Sequence, residues 1–294
     1  MAATRIVLGF GMLPFHVLQY YTLLGLDWTG PKFWFVHPIW YFEWLGIQRL
    51  DPALAALALA TLLIATTTFA LGYRTRLSAV VCLVAIALLK GMRDSVAGDV
   101  HHRELVPFAV LFLFAFSRCG DVDSLDARRR PETRELEEWE SSWPIKAAQL
   151  HIASFYFWSG LAKWRMTGWD WIRDGERLQV LLLNRSFRFG IGPDGEPEGN
   201  PLALWFSHQT ELLILLALAT FVMELGFHLV LWMRAAGLRA LFLGGVTLFH
   251  VANYVLMKVK FVFLPVVFAV FFDLSPLLDR IAPVLGRRSA RGTE

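Results

Sequence analysis

Charged residues are scarce in this sequence. Only 18% of its 294 residues are charged, whereas 56% are hydrophobic and the mean hydropathy is +0.48. A water-soluble protein of this length rarely has such values, but a bundle of apolar spans routinely does. The composition therefore excludes an ordinary soluble domain. It predicts an all-α, polytopic membrane helical bundle whose surroundings are a lipid bilayer.

Cysteine is also scarce: Cys82 lies inside one apolar run and Cys119 at the end of another. Two isolated cysteines exclude a disulfide framework and a Cys-x-x-Cys metal or redox site. A nucleotide-binding glycine loop and an ordered Ser-His-Asp set are absent as well. The net charge of +3 comes from arginines that flank apolar runs. Anchoring and orientation explain those arginines, so no nucleic-acid partner is predicted.

Eight apolar stretches predict membrane spans, and the clearest of them covers residues 52–72 without a charge. Such a helix crosses the hydrocarbon at about 1.5 Å per residue. The predicted set is 6–24, 52–72, 77–89, 105–117, 145–163, 211–233, 240–257 and 261–272. Because Arg5 is the only early charge and no small-residue cleavage site follows, the first stretch is interpreted as a span and not a signal peptide.

An even number of spans puts both termini on one side of the membrane. The arginine clusters at 74–76 and 128–130 and the basic C-terminal tail share that side, so the positive-inside rule makes it cytoplasmic. Residues 118–144 are predicted to form a solvated loop, and residues 165–200 an interfacial segment with an amphipathic piece at 169–183. The whole chain, 1–294, is interpreted as a single transmembrane domain without a C-terminal soluble domain.

The third and fourth spans have uncharged parts that are too short to cross a membrane alone. Their helices are therefore expected to continue into the charged stretches 90–93 and 101–104. Ionisable side chains at membrane depth usually face a protein interior or a watery cavity. The hairpin made by these two spans is thus expected to turn its charges inward.

Polar side chains recur at helical spacing on three other spans. They are Gln149, Tyr156, Ser159 and Lys163, then Glu224 and His228, then Thr247, His250, Asn253 and Tyr254. Such stripes turn inward because donors and acceptors facing lipid would stay unpaired. Helical rise places Lys163 near an outer helix end, and Glu224 and His250 about 13–15 Å from the inner ends. The sequence predicts an outward-opening cavity with a lysine and a histidine near its mouth and a histidine–carboxylate pair deeper.

Structural alternatives exist for each of these groups. Lys163 could snorkel to the headgroups beside Trp164. Glu224 and His228 could form a satisfied pair on one helix face. Asn253 could simply bridge two helices.

The adjacent histidines His101 and His102, with Glu104, could suggest a metal site. Neighbouring residues point to different helix faces, however, and no third ligand follows at a suitable spacing. No metal is therefore predicted. The remaining histidines are interpreted as packing or interface residues: His16, His37, His151 and His208.

A lysine at the position of Lys163 suggests proton chemistry. An ammonium partly removed from water is brought toward its neutral form, which is a competent general base. Histidines nearby can shuttle protons or donate to a developing oxyanion. The reagent expected at such a site is a lipid-soluble molecule reached from the bilayer.

Four motifs, in order over roughly residues 1–275, resemble one known family. Gly160-Leu-Ala-Lys163 followed by Asp170-Trp171 is similar to the Gly-x-x-Lys…Asp-Trp stretch of vitamin K-dependent gamma-glutamyl carboxylases. Their membrane part is the horizontally transferred transmembrane (HTTM) domain. The other matches are Phe249-His250-x-x-Asn253 to a Phe-His-x-x-Asn segment, Glu224 to an acid in the preceding span, and His102 with Ser124-Leu-Asp126 to a His…Ser-Val-Asp region.

The resemblance implies a chemistry and a set of site residues. Lys163 matches the base that deprotonates vitamin K hydroquinone, a menaquinol-like reduced naphthoquinone, and His102 and His250 match catalytic-site histidines. Oxygen and carbon dioxide are then co-substrates: the oxygenated quinone removes a glutamate γ-proton, and carbon dioxide adds to the carbanion. The residues expected to hold the quinone are Tyr156, Ser159, Glu224, Asn253 and Tyr254.

The sequence departs from the family pattern in two features. Ala162 replaces a second lysine, and the large soluble portion that engages propeptide and substrate is not in this sequence. The leading hypothesis is a multi-pass enzyme of a bacterial inner membrane that oxidises a quinol, coupled to carboxylation of a small or peptide substrate presented by a separate protein. The alternatives are a non-catalytic helper in peptide maturation or export, and a solute or proton transporter. The transporter is disfavoured because paired Gly/Pro-broken spans are missing.

Overall fold

The computed structural model describes residues 1–24, 37–48, 51–98, 104–129, 136–189, 199–259, 261 and 263–276. Within these ranges the chain forms helices and turns, and no strand. The predicted all-α class is therefore confirmed. The chain divides into two compact units, one made of Met1–Ala148 with Pro265–Glu294 and the other of Gln149–Leu264.

The first unit is a bundle of long apolar helices with short connecting helices. Its described elements are α1 (Ala2–Tyr20), α2 (Trp40–Trp44), α3 (Pro52–Leu71), α4 (Thr75–Ala97), α5 (Leu105–Phe116) and α6 (Leu125–Arg129). Helix α3 packs against both α1 and α4, and α5 packs on α4. Gly9 allows the first of these contacts, because a Cβ there would lie 2.5 Å from the Ala70 Cβ.

Local signals in the sequence set the ends of α3 and α4. The Asp51 carboxylate accepts hydrogen bonds from Ala53 N (2.8 Å) and Leu54 N (3.2 Å), which caps the start of α3. The start of α4 is capped from outside, since the Asp126 carboxylate accepts from the Thr75 amide and hydroxyl, each at 2.8 Å. The Ser124-Leu-Asp126 stretch thus has a structural role as a helix cap.

The second unit contains the remaining long helices. These are α7 (Glu138–Thr167), which begins in the first unit, α8 (Glu176–Phe189), α9 (Pro201–Ser207), α10 (Thr210–Gly226) and α11 (Ala236–Met257). A 3-10 helix, Gly168–Trp171, follows α7, and another, Phe227–Leu231, continues α10. The short helix α12 (Leu264–Val267) then leads back to the first unit.

Four of the described helices are long and apolar enough to cross a membrane. They are Pro52–Leu71, Thr75–Val96, Thr210–Leu231 and Ala236–Met257, with Leu105–Phe116 as a shorter apolar helix. They coincide with the predicted second, third, sixth and seventh spans, so a polytopic membrane protein is confirmed. The count of eight is not. In the predicted span 261–272, the described residues form α12 and the 3-10 helix Phe268–Phe271, and these eight residues rise about 12 Å as an α-helix.

Two predicted non-spanning segments are more structured than expected. The expected loop 118–144 contains α6 and the first turns of α7. Helix α7 starts early because Glu138 and Glu140 suit a helix N-terminus, and Glu140 also binds the Arg118 guanidinium at 3.0 Å. In the interfacial segment, the amphipathic helix is α8 at Glu176–Phe189, and not 169–183; residues 190–198 lie outside the described ranges.

Candidate functional site

Helices α7 and α10 approach closely at Gly160. A Cβ on this glycine would lie 3.1 Å from the Glu224 Cβ and 3.1 Å from two side-chain atoms of Leu225. Small residues at membrane-helix contacts allow backbones to come together in this way. The contact places Lys163, almost one turn further along α7, opposite the carboxylate of Glu224.

Lys163 and Glu224 form an ion pair with two short hydrogen bonds. The ammonium nitrogen lies 2.7 Å from Oε1 and 2.6 Å from Oε2 of the carboxylate. The Lys163 side chain is 27% exposed and the Glu224 side chain 9%. Charge-assisted hydrogen bonds of this length are the strong kind, and more so where water is sparse. Lys163 and Glu224, two candidate residues on different helices, therefore interact directly.

This ion pair bears on two interpretations of Lys163 and Glu224. The lysine expected at a cavity mouth and the carboxylate expected deeper are in direct contact. Glu224 and His228 do not form a pair on one helix face. The His228 Nδ1 lies 2.8 Å from the Leu225 carbonyl oxygen of its own helix, because the 3-10 turn after Gly226 rotates the histidine away from the α-helical register.

An indole lies against the ion pair. The Lys163 ammonium is 5.8 Å from the centre of the Trp171 ring, within the range of a cation–π attraction. The Trp171 Nε1 is buried and, among the residues that the structure describes, has no hydrogen-bond acceptor. An indole nitrogen can only donate, so this buried N–H is suited to an acceptor on a bound molecule.

A second polar contact joins α7 to α11. The Tyr156 hydroxyl lies 2.6 Å from His250 Nε2, and the side chains of both residues are buried. The Tyr156 ring stacks on Phe227 at 4.1 Å, and the His250 ring lies 4.6 Å from that of Phe261. The other ring nitrogen, His250 Nδ1, is buried and has no partner in the described part of the chain. Whichever nitrogen carries the proton, one polar atom of this histidine remains unsatisfied.

The sequence of this chain also matches a known protein family. The family model described as the HTTM domain matches residues 1–275. The chain belongs to the HTTM family. No curated protein and no solved structure matches it. The motif resemblance to the membrane part of vitamin K-dependent carboxylases fits this family, and together with the four apolar helices it makes this HTTM protein an integral membrane protein.

Other expected residues of the HTTM site have different surroundings. The Ser159 hydroxyl donates to the Phe155 carbonyl oxygen at 2.9 Å, within its own helix. Tyr254 is 37% exposed, with the Lys258 ammonium 5.7 Å from its ring centre. Asn253 is half-buried on the same helix, α11. His102 lies outside the described residues, so the structure does not place it.

The HTTM structure also adds site residues that the sequence reasoning did not select. Trp171, Phe227 and Phe261 provide the aromatic surfaces around Lys163, Tyr156 and His250. Trp171 was visible in the Asp-Trp motif, and only its role was missing. Phe227 and Phe261 carry no polar group and have no distinctive spacing, so no sequence pattern points to them.

A second ionic cluster lies in the first unit of the HTTM domain. Arg93 Nη2 donates to Asp94 Oδ1 (2.9 Å) and to Glu104 Oε2 (2.6 Å), Lys90 binds the other Asp94 oxygen, and Gln19 Nε2 donates to Glu104 Oε1 at 2.6 Å. The four charged side chains are only 3–17% exposed. The expectation that the charges of this hairpin turn inward is confirmed for these residues. Among the described residues, no three His, Cys, Asp or Glu side chains are grouped as a metal site requires.

Proposed function

We propose that this HTTM protein is a membrane enzyme that binds a reduced naphthoquinone, of the menaquinol type, and begins its oxidation at the Lys163–Glu224 pair. The observation that supports this proposal is the pair itself. Two ionised groups lie inside the helix bundle, beside an aromatic ring with an unpaired donor. Ionisable residues within membrane helices are costly, and they usually mark a functional site.

The pair supplies a base only if its proton can move. Lys163 is bound to a carboxylate, so its ammonium must first lose a proton before it can accept one. Glu224 Oε2, at 2.6 Å, can take that proton and leave a neutral amine beside a neutral acid. Low polarity favours such a neutral pair, because neither group then needs hydration. The free amine would accept a hydroxyl proton from the quinol. Lys163 is the base in this scheme, and Glu224 holds the displaced proton.

The surrounding groups fit a flat aromatic ring that carries oxygen atoms. The Trp171 ring lies beside Lys163 and the Phe261 ring beside His250, whereas Phe227 is fully buried against Tyr156. The unsatisfied Trp171 Nε1 and His250 Nδ1 are polar atoms suited to ligand oxygens. Tyr156 holds the His250 ring in place through its hydroxyl. Once bound, a reduced naphthoquinone would supply, with oxygen, both the electrons and the strong base for the reaction.

The wider function follows the family resemblance. We include in the proposal the carboxylation of a small or peptide substrate, with carbon dioxide as co-substrate and a separate protein that presents the substrate. His102 remains a catalytic residue in the proposal. The eight-span arrangement with both termini in the cytoplasm, and a bacterial inner membrane as location, also belong to it. The family match over residues 1–275 supports treating these spans as one domain.

A non-catalytic helper is the second candidate, and the ion pair also supports it. Both charges are already satisfied by each other, as in a structural link between helices. The transporter hypothesis has less support. Its relay needs His228 between Glu224 and His250, but His228 is bonded to its own helix.

The test of the proposed function is direct detection of quinol oxidation. The purified protein in nanodiscs is incubated with vitamin K hydroquinone and oxygen, and the epoxide product is measured by chromatography. Epoxide from the wild type and none from Lys163→Ala is the expected result. No epoxide from the wild type, under conditions where a full-length carboxylase control is active, would contradict the proposal.

Glu224→Gln separates the two roles within the pair. Glutamine keeps the size of the side chain but cannot take a proton from the ammonium, so epoxide formation is expected to fall about 10²–10⁴-fold, the usual contribution of acid–base catalysis. The matched control is Glu211→Gln, at the exposed first turn of the same helix. This control variant is expected to keep wild-type activity. Equal activity of Glu224→Gln and wild type would remove Glu224 from the mechanism.

A further inference from the structure

A separate cavity lies inside the first unit, among α1, α3, α4, α5 and α12. Its volume is about 40 Å³. Its wall is almost entirely apolar, with Met12, Phe69, Val110 and Phe114 among the lining side chains. Every lining residue belongs to the first unit. The cavity is therefore distinct from the Lys163 site, whose residues all lie in the second unit.

One polar side chain in this wall has nothing to bind. His16 lines the cavity and is 7% exposed. Among the described residues it has no hydrogen-bond or ion-pair partner. The other polar groups of the wall, the Thr66 hydroxyl and the Cys82 thiol, lie 3.5 Å apart and bind each other. A buried imidazole left without a partner costs free energy, so its presence calls for an explanation.

Water does not fit this cavity well. A buried water needs about 10–15 Å³ of such volume, so the space holds roughly three. Each water also needs two to four polar partners, as a rule. The wall offers one free imidazole and a hydroxyl–thiol pair that is already bonded, which is enough polar contact for about one water molecule. The cavity therefore favours an occupant that is mostly apolar, very small, and able to use one histidine.

We propose that this cavity binds a small lipid-soluble gas, carbon dioxide, with His16 as its polar contact. Carbon dioxide has no net dipole and enters apolar spaces, and a linear triatomic molecule suits a volume of about three water positions. Its terminal oxygens accept hydrogen bonds, and its carbon is electron-poor. A neutral imidazole offers both matching groups, an N–H donor and a nitrogen lone pair. No covalent bond forms. The choice of carbon dioxide over other gases rests on the proposed function, which consumes it.

Gas-pressurised crystals test the site without any quinone. Xenon, located by its anomalous scattering, is expected in the wild-type cavity, because apolar cavities bind xenon. Carbon dioxide is expected at the same place under pressure, with one oxygen toward the His16 ring. Absence of xenon from the wild-type cavity would overturn the proposal. So would xenon binding without any carbon dioxide.

Two kinds of variant test the cavity volume and the His16 contact separately. Val110→Phe fills the cavity and is expected to abolish binding of both gases; Leu111→Phe is a second filling variant, in case the first does not fold. His16→Leu is expected to keep xenon but to bind carbon dioxide about two- to tenfold more weakly, the effect of one lost hydrogen bond. His208→Leu, at an exposed histidine, is the matched control and should behave as wild type.

The results distinguish this site from the proposed function. Equal carbon dioxide occupancy in His16→Leu and wild type would exclude the role of His16. Quinol oxidation is measured in a separate assay, so its failure would leave the gas measurements interpretable. If gas binds while no epoxide is formed, the cavity stands and the enzyme reading of the Lys163 pair fails.

Discussion

The two units each bury an ionic cluster, and the two clusters are built differently. In the first unit, each anion has at least two partners: Asp94 binds Lys90 and Arg93, and Glu104 accepts from Arg93 and Gln19. In the second unit, Lys163 and Glu224 have mainly each other. Polar networks whose members are all satisfied rigidify a fold, which suits a structural role for the first cluster. Under the proposed function, the single pair of the second unit is the one whose proton moves.

The neighbours of the clusters sharpen this difference. Two buried polar atoms of the second-unit site, Trp171 Nε1 and His250 Nδ1, have no partner within the described ranges. In the first cluster, the atom left without a partner by the described residues is Arg93 Nη1, and the other terminal nitrogen of that guanidinium, Nη2, already binds two carboxylates. Unsatisfied polar atoms on separate aromatic groups suit a ligand better than one spare nitrogen in a network.

The largest effect is expected when the first cluster loses its central cation. Arg93→Met leaves the buried Asp94 and Glu104 carboxylates short of a partner, so the free energy of unfolding should fall by about 3–5 kcal/mol. Thermal unfolding in nanodiscs measures it. The control is Arg173→Met, which breaks an exposed arginine–carboxylate contact, 70% exposed at the arginine, and should cost at most about 1 kcal/mol. Equal effects of the two variants would contradict the structural role of the first cluster.

The next prediction distinguishes the loss of stability from the loss of activity at the Lys163–Glu224 pair. Lys163→Met alone leaves Glu224 charged and poorly solvated, so it should destabilise the protein by about 1–3 kcal/mol. The double variant Lys163→Met/Glu224→Leu removes both charges, and most of that stability should return. Epoxide formation should stay absent in both. Recovery of stability with no recovery of activity is the signature of a functional pair; a double variant as unstable as the single one would indicate a structural link.

The sequence predicted the spans better than it predicted the site. Residues 52–72 were predicted as a span, and α3 is Pro52–Leu71, because Asp51, Pro52 and Gly72 mark its ends locally. The contact of Lys163 with Glu224 joins residues 61 positions apart. A polar stripe shows which face of a helix turns inward, but not which helix it meets. Gly160, one small residue where α10 comes close, was the available signal.

A smaller effect is expected from adding a methyl group at Gly160, where α7 and α10 come close. In Gly160→Ala the new Cβ would lie 3.1 Å from the Glu224 Cβ, so α7 and α10 must separate by a few tenths of an ångström. We expect a loss of about 1 kcal/mol, after the gain of helix propensity from alanine. The rate of epoxide formation should fall by a larger factor than the folding equilibrium constant, because the Lys163–Glu224 distance increases. Gly244→Ala is the control, since nothing lies within 4 Å of its Cβ; it should be neutral or slightly stabilising.

The smallest effect is expected at Asp174, an exposed carboxylate just before α8 that belongs to neither ionic cluster. The Glu176 backbone N–H donates to Asp174 at 3.1 Å and holds the pKa of this carboxyl below its ordinary value of 3.8. Because the pKa is lowered in the folded state, the cap stabilises the helix above the ordinary pKa and is lost as the pH falls through the folded value. In wild type, hydrogen-exchange protection of the first turn of α8 should therefore exceed that of Asp174→Ala at neutral pH. The difference should vanish in acid, and a constant difference would show that the cap does not depend on the charge.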